Sequence, residues 1–470
     1  MTQLDNALAQ RSWQAIGRIV TAHVTMLAEV GVLDAEGKAS LLAALDGVRR
    51  GNPPASRLVD LIAAFDERTE GQSPPGVVGA AAVGRGTAEV VATVVRLILR
   101  DDLLALGDEI HRLQLSLIDL AGTHAVTTMP AYSGGVAAQP TTLGHFLGGL
   151  IGPLGRASEH LAAVYASVDH SPLGAGALAS TVIEIDREQQ AELLGFSTLL
   201  DNTFDAVVAV DHLAACVDLT STVATGIGRF LSELIAWLRI EPGAFRLSTG
   251  WTGAEPGLPQ LTPATGIINL QGLAAGVVAD ADAVRRLAAG APYAPITGLA
   301  DRALALTSRC LTDVGVLAER TGSLLTTGLD VNRALLANRA GKGFSTVSDL
   351  GDFLMIEAGL EPAPARAIAS LTYRRAVEEG LEASGITPEM IDGAALMVLG
   401  REVGVEFEAI SRYLAPRRFI ERRTVTGGPA PQALRASFDR ERGRLAADER
   451  WLTETRQRID EANGRSDNEV

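Results

Sequence analysis

Three unusually long stretches keep the spacing of apolar residues that is typical of α-helices, and they constrain the fold more than any other feature. They comprise residues 87–121, 143–168 and 205–240. A globular helix has about 11 to 12 residues on average, so stretches of this length are typical of helical bundles. We therefore predict an all-α fold.

The first of these stretches carries apolar residues on more than one of its faces, including Val90, Val91, Val94 and Leu97. A helix needs this pattern only where it is buried on several sides, as in an oligomeric bundle. We therefore expect partner subunits to cover part of the bundle.

Two later segments differ from the long helical stretches. Residues 248–263 contain repeated glycines and prolines, which interrupt the helical pattern and predict a loop. The chain from Pro429 onward is charged, with sparse apolar residues at helix-compatible spacing, among them Leu434, Phe438 and Leu445. For this tail we expect a solvated helix or one that packs against a partner.

Composition restricts the class of protein and its partners. A chain of 470 residues exceeds the usual size of one compact core, so we expect two or three structural units. With 47% hydrophobic but only 4% aromatic residues, the chain favours close packing of helices. Its net charge of −15 repels a polyanion, so nucleic acid is not expected as a partner.

Cysteine usage and apolar run lengths indicate the compartment. Cys216 and Cys310 are too few for a disulfide framework or a Cys-x-x-Cys zinc pattern. No basic segment followed by an apolar one is visible in residues 1–13. The apolar runs around residues 147–154 and 230–238 are shorter than the roughly 20 residues that a membrane span needs. We expect a cytoplasmic protein without a membrane partner.

Four stretches in a fixed order carry a resemblance to a known family. They are residues 83–100 (VGRGTAEVVATVVRLILR), 123–145 (THAVTTMPAYSGGVAAQPTTLGH), 172–196 (PLGAGALASTVIEIDREQQAELLGF) and 419–431 (FIERRTVTGGPAP). In sequence and separation they resemble the argininosuccinate lyase branch of the fumarase/aspartase superfamily. The resemblance covers nearly the whole chain.

This resemblance implies an architecture and a type of reaction. It implies three helical domains, at residues 1–90, 91–340 and 341–430, with a charged helical tail at 431–470. It also implies a homotetramer in which signature regions of different subunits share each active site. Such enzymes remove an amine or guanidine from a succinyl-type substrate to form fumarate, using a base, an acid and a carboxylate clamp.

Several residues that perform this chemistry in the family are replaced here. Gly134 stands where the family has its acid histidine, and residues 84–90 keep Arg85 but lose the substrate-binding asparagine. Residues 249–260 place Thr252 near the family's base serine and lack the clamp lysine and asparagine, while residues 293–298 lack an acidic partner for the histidine. Since each such loss costs about 10² to 10⁴ in rate, ordinary argininosuccinate cleavage is not expected.

The polar residues that remain in these regions define a candidate site without a cofactor or a metal. The candidate catalytic residues are Ser133, Thr252 and Glu255, of which the last two are candidate bases. The candidate substrate-binding residues, suited to an anionic group, are Arg85, Gln139, Thr181 and Asn202.

Two functions remain compatible with this set of residues. The first is a redirected lyase that performs a β-elimination or related proton transfer on a small carboxylated metabolite in specialised biosynthesis. The alternative is a noncatalytic pseudoenzyme that acts as an oligomeric scaffold or interaction partner. In that case Arg85 would form a structural ion pair and Ser133 would cap the start of a helix.

Three histidines match helical positions of the family, namely His23, His124 and His145. We expect packed or hydrogen-bonded rings at these positions, and His124 is a substitute acid only if it points at the cleft. Gly84 and Gly86 do not predict a dinucleotide site, because no strand pattern precedes them and Glu89 occupies the third glycine position.

Overall fold

The computed structural model describes residues 4–54 and 57–468. Residues 1–3, 55–56 and 469–470, which belong to the first predicted domain and the predicted tail, lie outside the described residues. The helices in chain order are α1 (Asn6–Glu29), α2 (Ala35–Arg49), α3 (Leu58–Gln72), α4 (Thr87–Thr123), α5 (Leu143–Val168), α6 (Arg187–Leu193), α7 (Thr203–Val208), α8 (Asp211–Ile240), α9 (Thr265–Ala289), α10 (Ala300–Ser323), α11 (Arg333–Ala340), α12 (Ser348–Ile356), α13 (Pro362–Glu378), α14 (Pro388–Leu399), α15 (Phe407–Leu414), α16 (Pro416–Glu421) and α17 (Pro431–Asn468).

Strands are few and short in the described part of the chain. They form three separate two-stranded sheets, so no central sheet is present among the described residues and the all-α prediction is confirmed. The pairs are β1 (Thr128–Ser133) with β2 (Val136–Thr142), β3 (His170–Ser171) with β4 (Thr198–Leu199), and β5 (Phe245–Leu247) with β6 (Leu329–Val331).

The predicted long helices are largely confirmed, with one break. Helices α4 and α5 occupy the first two predicted stretches, but the third is divided into α7 and α8. The chain leaves the helical conformation at Ala209 (ψ 132°), so that Ala206, Val207 and Val208 pack in a small apolar cluster with Ala88 and Ala175. The buried residues of helix α8 belong to the main core. A straight continuous helix could not place residues 206–208 in the small cluster and α8 in the main core.

A bundle of long helices forms the centre of the molecule. Helix α4 packs against α5 and α10, while α8 packs against α5, α9 and α10. The buried apolar residues of α1–α3 belong to the same core as this bundle, whereas residues 350–414 form a second core. The domain boundaries at 90, 340 and 430 stay a prediction.

The C-terminal helix α17 spans 38 residues and packs against its own chain. Its buried apolar residues recur at steps of four and then seven positions, at Leu434, Phe438, Leu445, Leu452 and Ile459. This seam contacts α4 and α5, as expected for a helix that buries one narrow apolar stripe. The tail is therefore part of the main core, and the expectation of a solvated or partner-bound helix is corrected.

Helix α9 is long and apolar enough to cross a membrane by length and composition, and it is the one such helix among the described residues. Its buried positions, including Ile267, Leu270, Ala274 and Val277, follow the helical repeat and pack against α8 and α10. A core helix of a bundle meets the same length and composition test, so this helix is no indication of a membrane.

Candidate functional site

The N-terminus of α4 lies against a loop that comes from a distant part of the sequence. A Cβ atom on Gly86 would lie 2.8 Å from the carbonyl carbon of Gly176, so the two backbones approach too closely for any side chain there. Gly84, with φ +70°, lies beside Thr181, whose Cγ2 would be 3.5 Å from a Cβ at that position. The glycines of both segments therefore bring Arg85 and Thr181 to the same end of α4.

Glu89 fixes this approach. Its Oε1 accepts the N–H of Gly86 and its Oε2 accepts the N–H of Gly176, each at 2.7 Å. Burial raises the pKa of this carboxyl, and the hydrogen bonds from the backbone N–H groups oppose the rise. The sequence analysis did not predict this role. Gly86 is the N-cap residue of α4, and a Glu three positions after the N-cap is a common capping pattern.

Arg85 is already paired within the chain. Its Nη2 contacts Asp66 Oδ1 at 2.5 Å, and its side chain is only 3% exposed. Its Nη1 is buried and has no hydrogen-bond partner among the described residues. The sequence pattern did not identify Asp66, because the acid lies in α3 and only the fold brings it to Arg85.

Thr181 and Asn202 also bond to nearby backbone groups. Thr181 Oγ1 accepts the N–H of Ile183 at 3.2 Å. Asn202 Oδ1 accepts the N–H groups of Phe204 at 2.9 Å and Asp205 at 3.2 Å, and thereby caps α7. These bonds shape the loops and leave each side chain with further hydrogen-bonding groups.

Ser133 and Gln139 lie on a β-hairpin. Ser133 ends β1, and Gly134 and Gly135, with φ +58° and +83°, form the turn into β2. Both Ser133 and Gln139 are exposed. The structure therefore contradicts the reading of Ser133 as the cap of a helix, because the two glycines favour a tight hairpin turn over a helix start.

The end of this hairpin next to its turn is held by an ionic network. Tyr132 donates a hydrogen bond to Glu241 Oε1, at the C-terminal end of α8. Arg339 Nε lies 3.1 Å from the other carboxylate oxygen of Glu241. Burial and the Glu241 carboxylate raise the pKa of Tyr132, so its hydroxyl remains a hydrogen-bond donor at neutral pH.

The loop predicted at residues 248–263 is confirmed. Its first residues pack against the rest of the chain, whereas the residues at its tip are exposed. Trp251 packs against Gly266 and Gly328, where added Cβ atoms would clash with the indole ring. Thr252 is partly exposed and Glu255 is exposed. The N–H of Gly253 donates to Pro263 O at 2.8 Å, which closes the loop at its base.

The seven candidate residues fall into two groups at opposite ends of the bundle. Helix α4 has 37 residues and is therefore about 54 Å long. Arg85, Thr181 and Asn202 lie around its N-terminus. The hairpin follows its C-terminus, and the loop with Thr252 and Glu255 is anchored at that end through Gly328. One chain therefore does not bring the seven residues together.

A large cleft adjoins the hairpin. It has a volume of about 910 Å³ and is lined by Gln139, His145, Arg229, Glu233 and Arg423 together with apolar side chains. Its size and mixed lining suit a small organic ligand. His145 is hydrogen-bonded, as predicted: Nδ1 to Thr141 Oγ1 at 2.8 Å and Nε2 to Gly427 O at 3.0 Å.

The two other histidines of the family pattern are also hydrogen-bonded. His23 bonds to Val83 O at 2.8 Å and to Gln190 Nε2 at 2.7 Å, and burial lowers its pKa to about 4. His124 Nδ1 lies 3.0 Å from Thr127 Oγ1, and its ring lines a smaller cleft of about 330 Å³ beside Arg333. Burial and Arg333 lower the pKa of His124.

Within the residues that the structure describes, no three histidine, cysteine, aspartate or glutamate side chains are grouped as a metal site would require. Cys216 and Cys310 are both buried and free.

Comparison with known proteins places this arrangement in a class. A family model described as lyase matches residues 21–252. The solved structure of an EDDS lyase in complex with formate superposes with a TM-score of 0.85 at 24% identity, covering 98% of this chain and 92% of that chain. The class II fumarase of Schistosoma mansoni has a TM-score of 0.68 at 12% identity, with coverages of 87% and 90%. The fold is therefore that of the fumarase/aspartase-type lyases.

Sequence relatives identify the branch of this class. The argininosuccinate lyase of Methanoculleus marisnigri is 32% identical over 445 residues, which are 92% of this chain and 88% of the relative. That of Methanosarcina acetivorans is 29% identical, with coverages of 94% and 89%. The chain belongs to the argininosuccinate lyase family.

Proposed function

We propose that the protein is a redirected carbon–nitrogen lyase that acts on a small carboxylated metabolite in specialised biosynthesis. The reaction is a β-elimination or a related proton transfer, without a cofactor, in the cytoplasm. Family membership supports the reaction type. The replacement of the family's acid histidine by Gly134 supports a substrate other than argininosuccinate.

The proposal depends on one observation: the loop of residues 248–263 has a packed base and an exposed tip. Its base is pinned by Trp251, while its tip around Glu255 is exposed and does not pack onto its own chain. A loop with a fixed base and a free tip suits a lid that closes over a substrate and excludes water. A noncatalytic scaffold has no need for such a loop to stay unpacked.

The candidate residues then divide the work as follows. Thr252 or Glu255 on the loop removes the proton beside the substrate carboxylate, and Ser133 and Gln139 on the hairpin bind the departing or neighbouring group. Thr181 and Asn202 orient the substrate, and Arg85 binds its carboxylate through Nη1, which has no partner within the chain but is buried here, so it must become accessible when the substrate binds.

Such a division requires more than one subunit. Arg85 and Thr181 lie near the start of α4, about 54 Å from its C-terminal end, where the hairpin begins. We therefore propose a homotetramer in which each site combines the loop and hairpin of some subunits with the α4 N-terminus of another.

The proposal is tested by offering the purified protein a panel of N-substituted aspartates and recording fumarate release by ultraviolet absorbance. We expect at least one member of the panel to yield fumarate and argininosuccinate to yield little. Replacing Arg85 by alanine is expected to weaken fumarate binding by about tenfold or more, since a charge-assisted bond is lost. Unchanged binding would remove Arg85 from the site.

One observation favours the alternative of a noncatalytic scaffold. Three of the candidate binding residues, Arg85, Thr181 and Asn202, each have a partner that explains them structurally. Under this alternative no N-substituted aspartate yields fumarate. The Arg85→Ala variant then loses thermal stability, because Asp66 loses its ion-pair partner. Neither this variant nor the wild type binds fumarate in that case.

A further inference from the structure

The carboxylate of Glu89 joins two segments that are 87 positions apart in the sequence. Both of its oxygens accept backbone N–H groups, from Gly86 and from Gly176, and its side chain is completely buried. A buried carboxylate with strong hydrogen bonds is costly to leave unpaired, so each segment is fixed relative to the other.

The loop of residues 174–182 has an unusual backbone that depends on this support. Gly174 and Gly176 have φ of +80° and +65°, and Ser180, with φ of 60°, is the one non-glycine residue with positive φ among the described residues. Ser180 Oγ donates to Gly174 O at 3.0 Å. A non-glycine residue in this region is strained and persists only where its surroundings hold it.

This loop places Thr181 against Gly84, the residue that precedes Arg85. Val182 is 98% exposed. An almost fully exposed valine on a rigid loop lies where a ligand or another subunit can reach it. The position of Thr181 relative to Arg85 is therefore set by how the loop is held against α4.

We propose that Glu89 is a positioning residue that holds the loop of residues 174–182 against the N-terminus of α4, so that Thr181 and the segment of Gly84 and Arg85 form one side of a ligand site. This inference rests on the proposed function, because the ligand is the carboxylate of the substrate. Glu89 does not touch that ligand. It also occupies the N–H groups of Gly86 and Gly176, so the substrate carboxylate is recognised here by side chains rather than by these two amides.

The first measurement is hydrogen–deuterium exchange of the full-length protein over residues 174–182. Glu89→Ala removes both acceptors and is expected to raise the exchange rate there by about tenfold to a hundredfold. Glu89→Gln keeps one acceptor oxygen and is expected to give an intermediate rate. It also serves as the informative variant if Glu89→Ala does not fold.

Thr93→Val is the matched control. Thr93 lies one helical turn after Glu89, is buried, and donates its hydroxyl to Glu89 O at 2.7 Å. The valine removes a buried hydrogen bond of the same helix but leaves both glycine amides bonded. Exchange over residues 174–182 is expected to match the wild type.

The second measurement is the affinity for fumarate by titration calorimetry. Glu89→Ala is expected to weaken binding by about tenfold or more, Glu89→Gln by less, and Thr93→Val to leave it unchanged. Unchanged exchange over residues 174–182 in Glu89→Ala, or raised exchange with unchanged fumarate affinity, would overturn the role of Glu89. Absence of fumarate binding by the wild type, with exchange still dependent on Glu89, contradicts the proposed function instead.

Discussion

At the scale of single residues, burial holds the pKa of two histidines below the ordinary value. His212 is 2% exposed, and its Nδ1 lies 3.3 Å from Nη2 of Arg96. Because a guanidinium only donates, Nδ1 must accept, and the ring is neutral. Burial, reinforced by Arg96, lowers the pKa of His212 to about 4, and burial also lowers that of His23 to about 4.

These histidines predict how stability depends on pH. The unfolded chain takes up protons near pH 6.5, whereas the folded protein takes them up only near pH 4. The free energy of unfolding therefore falls as pH falls through this window, by about 3 kcal/mol for each histidine. Urea midpoints measured between pH 7 and pH 4 check this expectation.

The variant His212→Gln isolates one of the two contributions. Its side-chain oxygen can still accept from Arg96, but the residue does not titrate. We expect a shallower fall of stability with pH in this variant, and an unchanged fall in His160→Gln, where the histidine is exposed. A pH dependence identical to that of the wild type in His212→Gln would contradict the assignment.

At the scale of elements, Trp251 packs between two helix ends at the base of the loop of residues 248–263. Trp251 contacts Gly266 in the first turn of α9 and Gly328 in the π-helical turn after α10, Leu324–Gly328. Glycine is required at both positions because the indole ring occupies the space of a Cβ. This contact fixes where the exposed tip with Glu255 begins.

Gly266→Ala tests this packing. The new methyl group would lie 2.5 Å from Cε3 of Trp251, so the indole must move. We expect a loss of about 1 to 3 kcal/mol in the free energy of unfolding, together with altered tryptophan fluorescence.

Gly443→Ala in α17 is the control, because no atom lies within 4 Å of the added Cβ. It carries a gain in helix propensity of up to about 1 kcal/mol without a clash. Equal stabilisation by both substitutions would show that Trp251 is not held as described.

At the scale of the whole molecule, the length of the bundle decides what one chain can do. Its candidate residues lie at two ends of α4, which has 37 residues. A site that needs both groups must be completed by a second chain. The turn of the hairpin and the tip of the loop are exposed and available for such a contact.

Mixing two variants that each lack one residue of the proposed site tests whether the site is shared between chains. Equal amounts of Arg85→Ala and Thr252→Ala chains are unfolded together and refolded. After random assembly, half of the α4 ends carry Arg85 and half of the loops carry Thr252. About one quarter of the sites are therefore expected to combine both intact residues and regain activity. Each variant refolded alone is the control. If both residues acted from the same chain, the mixture would stay inactive.

The amino-acid sequence by itself determined the class of fold and the ends of α4 and α5, because the spacing of apolar residues along a helix is a local property. It also placed the loop around Trp251, since glycine and proline act within a few residues. The break between α7 and α8 was missed, because no glycine or proline marks it and two separate cores impose it.

Only the tertiary structure decided the partners of the candidate residues. Asp66 reaches Arg85 across 19 positions and Gly176 reaches Glu89 across 87, and no local pattern encodes either pair. The separation of the seven candidates into two groups likewise follows from the length and direction of α4. Residue type and spacing specify elements, whereas contacts between distant elements depend on how those elements pack.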